Sequence, residues 1–369
     1  LQLCFRHIAF SLLNPFRRIV PDLQTNEPPN SLCLLRLSAL GDVCNTVPLV
    51  RALKRAWPET ALTWIVGKAE HRLVHDLPGI DFIVFDKGGP FAGFQHARRS
   101  LHKRHFDMLL LAQVSQRSSL LASLVQADRR IGFDRARSRP GHGLVINERI
   151  NTVPFQHQVD AFLEFARYLG LSTDGVDRRL PVPEKAYEFA REHQPDAGRA
   201  VIISPASSHT RRNWYPAGYA AVADWVIERT GRPVILMGGP GPIEKALGEA
   251  VEHEMKNTPV NLIGRDTIKQ ALAMFERAAC VISPDSGPAH FADAMGTPVV
   301  GLYAATWARR SGPIDSLKHT IDCFPEAARK FTRRPPEDLR WGKRLERPGV
   351  MELITPEMVI EKLEPLLSD

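Results

Sequence analysis

The stretch Ala279-Cys-Val-Ile-Ser-Pro-Asp285-Ser-Gly-Pro-Ala-His290 decides the fold. An apolar run ends in a tight polar loop, and the segment Phe291-Ala-Asp-Ala-Met295 continues in helical fashion. Strand, loop and helix start in that order place backbone N–H groups and the positive end of a helix dipole at the strand's carboxyl end, where an anion is stabilised. The loop also carries a carboxylate (Asp285), a hydroxyl (Ser286) and an imidazole (His290) around Gly287. Taken singly, Asp285 fits an Asx turn and His290 a packing role. Together they fit a loop that holds a phosphorylated ligand.

Working outward, strand-like and helix-like runs alternate on both sides of this stretch. Leu32–Leu37, Ala61–Val66, Phe82–Phe85, Met108–Ala112, Arg130–Phe133 and Leu144–Asn147 read as one series of strands. Val201–Ser204, Val234–Gly238, Asn261–Ile263, Cys280–Ser283 and Val299–Tyr303 read as a second. Alternation of this kind predicts parallel sheets covered on both faces, with ligands beyond the carboxyl ends of the strands. The expected organisation is an N-terminal extension and linker over 1–30, a first α/β domain over 31–180 and a linker over 181–199. A second α/β domain over 200–323 and a basic tail with a C-terminal helix over 324–369 complete it. A cleft between the two domains is expected.

The 369-residue chain carries a formal net charge of +7, which points to an acidic partner: a phosphorylated substrate, anionic lipid or nucleic acid. No helix-turn-helix or aromatic-plus-basic platform stands out, so nucleic acid is not expected. Five cysteines without CxxC spacing argue against a disulfide framework and for a reducing, cytoplasmic compartment. No apolar run reaches the ~20 residues of a membrane span. On a helical wheel Leu1, Phe5, Ile8, Leu12, Phe16 and Ile19 oppose Arg6, Arg17 and Arg18. That pattern fits either an interfacial helix on an anionic membrane or a segment docked on the protein itself. The oligomeric state is not written in the sequence.

Three further loops carry chemistry. Arg36-Leu-Ser-Ala-Leu-Gly41-Asp42 follows the first strand, and Gly41 allows a sharp turn there. Asp42 reads as a helix cap or as a general base. Ser204-Pro-Ala-Ser207-Ser208-His-Thr-Arg211-Arg212-Asn-Trp214 follows the first strand of the second half. Its hydroxyls and guanidiniums suit a diphosphate, around a buried Trp214. Met237-Gly238-Gly-Pro-Gly241-Pro-Ile-Glu244 is a glycine-rich turn in which Glu244 fits a ribose hydroxyl or the helix dipole. The first loop lacks the G-x-G-x-x-G spacing of a Rossmann dehydrogenase. There is no HExxH and no Cys/His cluster, so neither a metal nor another cofactor is expected.

With these loops in order, the chain resembles glycosyltransferase family 9, the heptosyltransferases of lipopolysaccharide core assembly. The resemblance rests on Ser38-Ala-Leu-Gly-Asp42 with Thr46-Val-Pro48, Arg212-Asn-Trp-Tyr-Pro216, Gly238-Gly-Pro240 with Glu244, and Asp285-Ser-Gly-Pro-Ala-His290, and it runs from about Ser31 to Leu367. It implies a GT-B architecture, α/β, with two facing Rossmann-like domains and a C-terminal helix that returns to the first domain. It also implies an inverting transfer of a heptose or related sugar from an ADP-activated donor to the inner core of lipopolysaccharide. Asp42 takes the place of the catalytic base; Ser207, Ser208, Arg212, Glu244, Asp285, Ser286, Gly287 and His290 take donor-binding places. Two departures stand out: Arg212 where the family often has lysine, and Asn45 where it often has histidine.

The acceptor, a lipid-linked oligosaccharide, is expected at Gly41, Asn45, Arg98, Arg99 and Arg135. Lys103, Arg104, Arg129, Arg130, Arg137 and Arg139 are further basic groups of the same half, and each reads equally as a solvated charge. The partners so implied are a nucleotide sugar, that acceptor and an anionic membrane surface on the cytoplasmic face. A nucleotide-sugar 2-epimerase, and a non-catalytic nucleotide-sugar-binding homologue, are the rival readings.

Overall fold

A computed structural model describes residues 27–368, so the amphipathic pattern of residues 1–20 lies outside the described residues. The chain divides into two compact units. The first comprises the described residues up to Pro154 together with Asp160–Asp177; the second comprises Phe155–Val159 and the chain from Arg178 onward.

The first unit is built on β1 (Ser31–Leu35), β2 (Ala61–Gly67), β3 (Ile80–Phe85), β4 (His105–Leu111), β5 (Gln126–Gly132) and β6 (Glu148–Arg149). They form one sheet in the order β3-β2-β1-β4-β5-β6. The second unit uses β7 (Val201–Ile203), β8 (Val234–Leu236), β9 (Val260–Asn261), β10 (Cys280–Pro284), β11 (Val299–Tyr303) and β12 (Ile321–Asp322). Their order is β12-β11-β10-β7-β8-β9. Read from the β9 side, this repeats the first sheet, so each unit is a Rossmann-like sheet with its strand order reversing beside its first strand. All described pairings are parallel: Cys33 faces Thr63 and Leu109, and Ile282 faces Ile203 and Val300. The central strands are apolar almost throughout because helices cover both faces. Cys33, Leu35, Ile65, Leu109 and Leu111 are fully buried in one core; Ile203, Leu236, Ile282 and Leu302 are fully buried in the other.

Three expectations are revised. The segment 181–199 contains the helix Glu184–His193, which packs on the helix Ile268–Arg277 as part of the second unit. Leu144–Asn147 is not a strand; a 3-10 turn, His142–Leu144, precedes the short β6. The C-terminal helix Pro356–Leu367 docks within the second unit rather than on the first, because Val359, Leu363 and Leu367 form one stripe buried with Tyr219 and Val222.

His142 lies inside the first unit. It is 1% exposed, and among the described residues neither ring nitrogen has a hydrogen-bond partner. Burial, and then the Arg149 guanidinium, push its pKa down from 6.5 to about 4. The unfolded chain therefore binds a proton that the native state excludes. The stability this confers is complete above pH 6.5 and is lost as pH falls toward 4. The loss should be on the order of 3 kcal/mol. Urea midpoints at pH 7.5 and 5 check this: His142→Phe should flatten the difference between them.

Candidate active site

In each unit the loops after the first and fourth strands flank the point where strand order reverses, which is where open α/β sheets bind ligands. In the first unit these are the loops after β1 and β4, and Gln113 ties them together. Its Oε1 accepts from Leu37 N at 2.7 Å, and its Nε2 donates to Ser38 Oγ at 3.3 Å. The chain then enters the helix Leu40–Cys44, with Asp42 in the first turn and Ala39, not Asp42, as the cap.

The Asp42 carboxylate is 35% exposed and forms an ion pair with Arg36 through Oδ2. The same oxygen faces Ala39 N at 3.4 Å, so both contacts leave Oδ1 open to a further partner. Arg36 is held on three sides. It pairs with Asp42, donates to Ala112 O at 2.8 Å and lies 4.9 Å from the centre of the Phe162 ring. Burial pushes its pKa down, opposed by Asp42 and more weakly by Glu70. A guanidinium stays charged against such a shift, so the pair is ionic.

The basic groups proposed for an acceptor separate. Arg135, exposed in the loop after β5, is at the same end of the sheet as Asp42. Arg98 and Arg99 are exposed in the last turn of the helix Pro90–Leu101, which runs back to the amino end of β4, the end away from Asp42. Lys103 and Arg104 are also at that end, with Arg104 on Asp81 at 2.6 Å. Arg129 is engaged with both oxygens of Glu148, at 2.8 and 2.7 Å, and Arg137 with Asp134. Arg130 is fully buried and donates to the carbonyls of Val145, Val125 and Ala122. Gly41 and Asn45 are buried in the Asp42 helix region, with Asn45 N on Gly41 O at 2.9 Å. Glu70 and Lys87, which the sequence did not single out, meet at 2.6 Å after β2 and β3.

In the second unit the loops after β7 and β10 are joined directly. Ser207 Oγ donates to Asp285 O at 2.9 Å, and Arg212 Nη1 to Asp285 Oδ2 at 3.3 Å. Arg212 Nη2 reaches Ser208 Oγ at 3.3 Å. Ser283 Oγ bonds Ser204 O at 3.1 Å and Ser286 Oγ at 2.8 Å, so the Ser286 hydroxyl does not cap the helix it precedes. That helix, Gly287–Ala294, begins at the switch point with Gly287 first and His290 buried in it. Asp285 thus serves Arg212 and the loop, and is not placed as a second base. Glu244 occupies the first turn of the helix after β8, under Gly238, Gly239 and Gly241; a Cβ at Gly241 would fall 2.3 Å from its Oε2. Trp214 is buried and donates to Ile354 O at 3.0 Å, tying the Arg212 loop to the tail. The tail also delivers Glu346, missed in the sequence, whose Oε1 lies 3.1 Å from Arg212 Nε. Among the described residues no group of three or more His, Cys, Asp or Glu could hold a metal ion.

Two Rossmann-like units of this topology match the GT-B fold. The model of glycosyltransferase family 9 (heptosyltransferase) matches residues 95–338. A lipopolysaccharide core heptosyltransferase, OpsX of Haemophilus influenzae, is 35% identical over 340 residues, 92% of this chain and 98% of the relative. This chain belongs to glycosyltransferase family 9. The fold is shared with the family 9 glycosyl transferase from Veillonella parvula, at TM-score 0.74 and 22% identity over 92% of this chain and 97% of that one. It is also shared with E. coli heptosyltransferase WaaC with ADP-2-deoxy-2-fluoro heptose, at TM-score 0.67 and 19% identity over 91% and 99%. Family membership favours transfer over the epimerase and non-catalytic readings.

Arg130 separates structural from functional arginines. Arg130→Met strands three buried carbonyls and should cost more than about 3 kcal/mol in denaturant unfolding. Residual folded enzyme should keep the wild-type KM for acceptor.

Proposed function

We propose that this glycosyltransferase transfers a heptose from an ADP-activated donor to the inner core of lipopolysaccharide, with inversion at the sugar carbon. One observation carries the reading: the two switch points hold complementary chemistry. The first presents a carboxylate with an open oxygen, fixed by a buried guanidinium. The second presents hydroxyls, a guanidinium and a helix N-terminus joined in one loop pair. The heptosyltransferase names carried by the relatives supply the sugar and acceptor class.

In the proposed reaction an acceptor hydroxyl oxygen attacks the anomeric carbon of the donor. Its proton passes to Asp42 Oδ1, and the bond from the anomeric carbon to the β-phosphate oxygen breaks. The leaving ADP carries its added charge to Arg212, to the Ser208 hydroxyl and to the first N–H groups of the helix that starts at Gly287, while Ser207, whose O–H is donated to Asp285 O, holds the loop beside them. Such fixed donors in a shielded site are a large part of catalysis. ADP leaves as an anion, so a second carboxylate acting as acid is not required, unlike in glycoside hydrolysis. Glu244 is assigned to the ribose hydroxyls, Asp285 and Ser286 to ordering the donor loop, and His290 to the wall of that loop. Arg135, with Gly41 and Asn45 beside the base, is assigned to the acceptor; Arg98 and Arg99 face a different end of the first sheet and are withdrawn from that role.

Asp42→Asn keeps the shape and removes the base. Turnover of ADP-heptose with an inner-core acceptor should fall about 10²- to 10⁴-fold, the usual contribution of such a group. ADP affinity, read by calorimetry, should stay within twofold of wild type.

No described helix is long and apolar enough to cross a membrane. We assign residues 1–20, with their basic and apolar residues, to peripheral contact with the anionic cytoplasmic leaflet. Deleting residues 1–25 should abolish most co-sedimentation with anionic vesicles and leave binding to neutral ones unchanged.

A further inference from the structure

The helix Pro90–Leu101 crosses the first sheet from the carboxyl end of β3 to the amino end of β4. Gly93, Ala97 and Leu101 are buried, and Phe94 meets Phe85 edge-on at 5.2 Å. A Cβ at Gly93 would fall 2.5 Å from Asp86 O, so glycine lets the helix seat close to the chain before it. That seating fixes which side faces out. Phe91, Gln95 and Arg98 follow one another at helical spacing on the outer side, with Arg99 beside them, and all four are exposed.

Phe91 is 87% exposed, more than any other large apolar side chain among the described residues. The twenty residues 87–106 contain five Lys or Arg and three His, with no Asp or Glu. Lys87 pairs with Glu70 and Arg104 with Asp81, both at 2.6 Å. Arg98, Arg99 and Lys103 are left exposed. Lys103 holds φ at +67°, a conformation that glycine takes more readily, so a charge is kept there against a backbone cost.

A single exposed Phe, or a basic run, is ordinary protein surface. On one rigid helix the two together match an anionic bilayer. Cations meet lipid phosphates at headgroup depth, and an aromatic ring enters the apolar boundary beside them. The helix's own apolar side is packed on the core, so the contact is shallow and flat rather than an insertion.

Resting on the lipid-linked acceptor proposed above, we propose that the helix Pro90–Leu101 is a second, weaker bilayer contact, separate from residues 1–20. Arg98, Arg99 and Lys103 lie against anionic lipid headgroups, and Phe91 dips between them. The helix starts at the carboxyl end of β3, the end of the sheet that also carries Asp42. The contact therefore brings the base's end of the first unit to the surface in which the acceptor is embedded.

The test uses the full chain. Cys33, Cys44, Cys280 and Cys323 are buried, so with Cys4→Ser in place a Phe91→Cys substitution takes an environment-sensitive dye at one site. Mixed phosphatidylglycerol and phosphatidylcholine vesicles should shift its emission to the blue, and pure phosphatidylcholine should not. Adding Arg98→Glu, Arg99→Glu and Lys103→Glu should remove the shift. In the unlabelled chain the same three changes should weaken affinity for the anionic vesicles about fivefold. They should lower kcat/KM for acceptor embedded in those vesicles by a similar factor, while turnover of a deacylated, water-soluble acceptor stays within twofold of wild type.

A dye that remains in water while the chain sediments with anionic vesicles overturns the contact. So does wild-type vesicle affinity in the charge-reversed chain, or a full chain that binds no vesicles at all. If the dye shifts as expected but neither acceptor is ever turned over, it is the proposed function that fails and the bilayer contact that stands.

Discussion

Parallel strand pairing is the constraint on which the rest depends. A parallel neighbour requires a crossover, and the crossover helices cover both faces of the sheet. Polar chemistry is thereby left to the strand ends, and the one place where two loops diverge is the switch in strand order. Both units place that switch beside their first strand, between β1 and β4 and between β7 and β10. In each, a side chain bridges the gap: Gln113 in the first, Ser207 and Arg212 in the second. The same topology, used twice, frames a carboxylate in one unit and a cationic, hydroxyl-rich loop in the other.

Buried guanidiniums do different work in the two frames. Arg130 has its charge spread over three backbone carbonyls and is part of the scaffold. Arg36 is also buried, but one of its partners is a carboxylate that is 35% exposed. It therefore transmits the rigidity of the first core to a side chain that meets solvent. Arg212 lies between Asp285 and Glu346 and keeps donors unspent. Taking a guanidinium out of water costs several kcal/mol unless its donors are met, so the way each is satisfied separates its role from the others.

The strands and site loops were legible because the central strands carry apolar runs, such as Leu32–Leu35, Met108–Ala112, Val201–Ile203 and Cys280–Ile282, that give way to polar residues. Arg36–Asp42, Ser204–Trp214, Gly238–Glu244 and Ser283–His290 all lie where that reading puts them, at carboxyl ends. Roles that depend on direction or on distant contact were not legible. Arg98 and Arg99 look like their neighbours in a basic run, and only the path of their helix sends them to the amino end of the sheet. Glu346 is one acid among many bases, and 134 positions separate it from Arg212, so no local pattern marks it. The stripe Val359, Leu363 and Leu367 says that a helix will dock but not on which unit. β12, at two residues, is too short to leave a period.

We propose that the second unit's switch point holds the nucleotide diphosphate, and a crystal structure with ADP is the direct test. The diphosphate should lie against Arg212, Ser208 and the start of the helix Gly287–Ala294, with the ribose near Glu244. A diphosphate bound instead against the Ser38–Asp42 loop, with the second unit's loops empty, would contradict it.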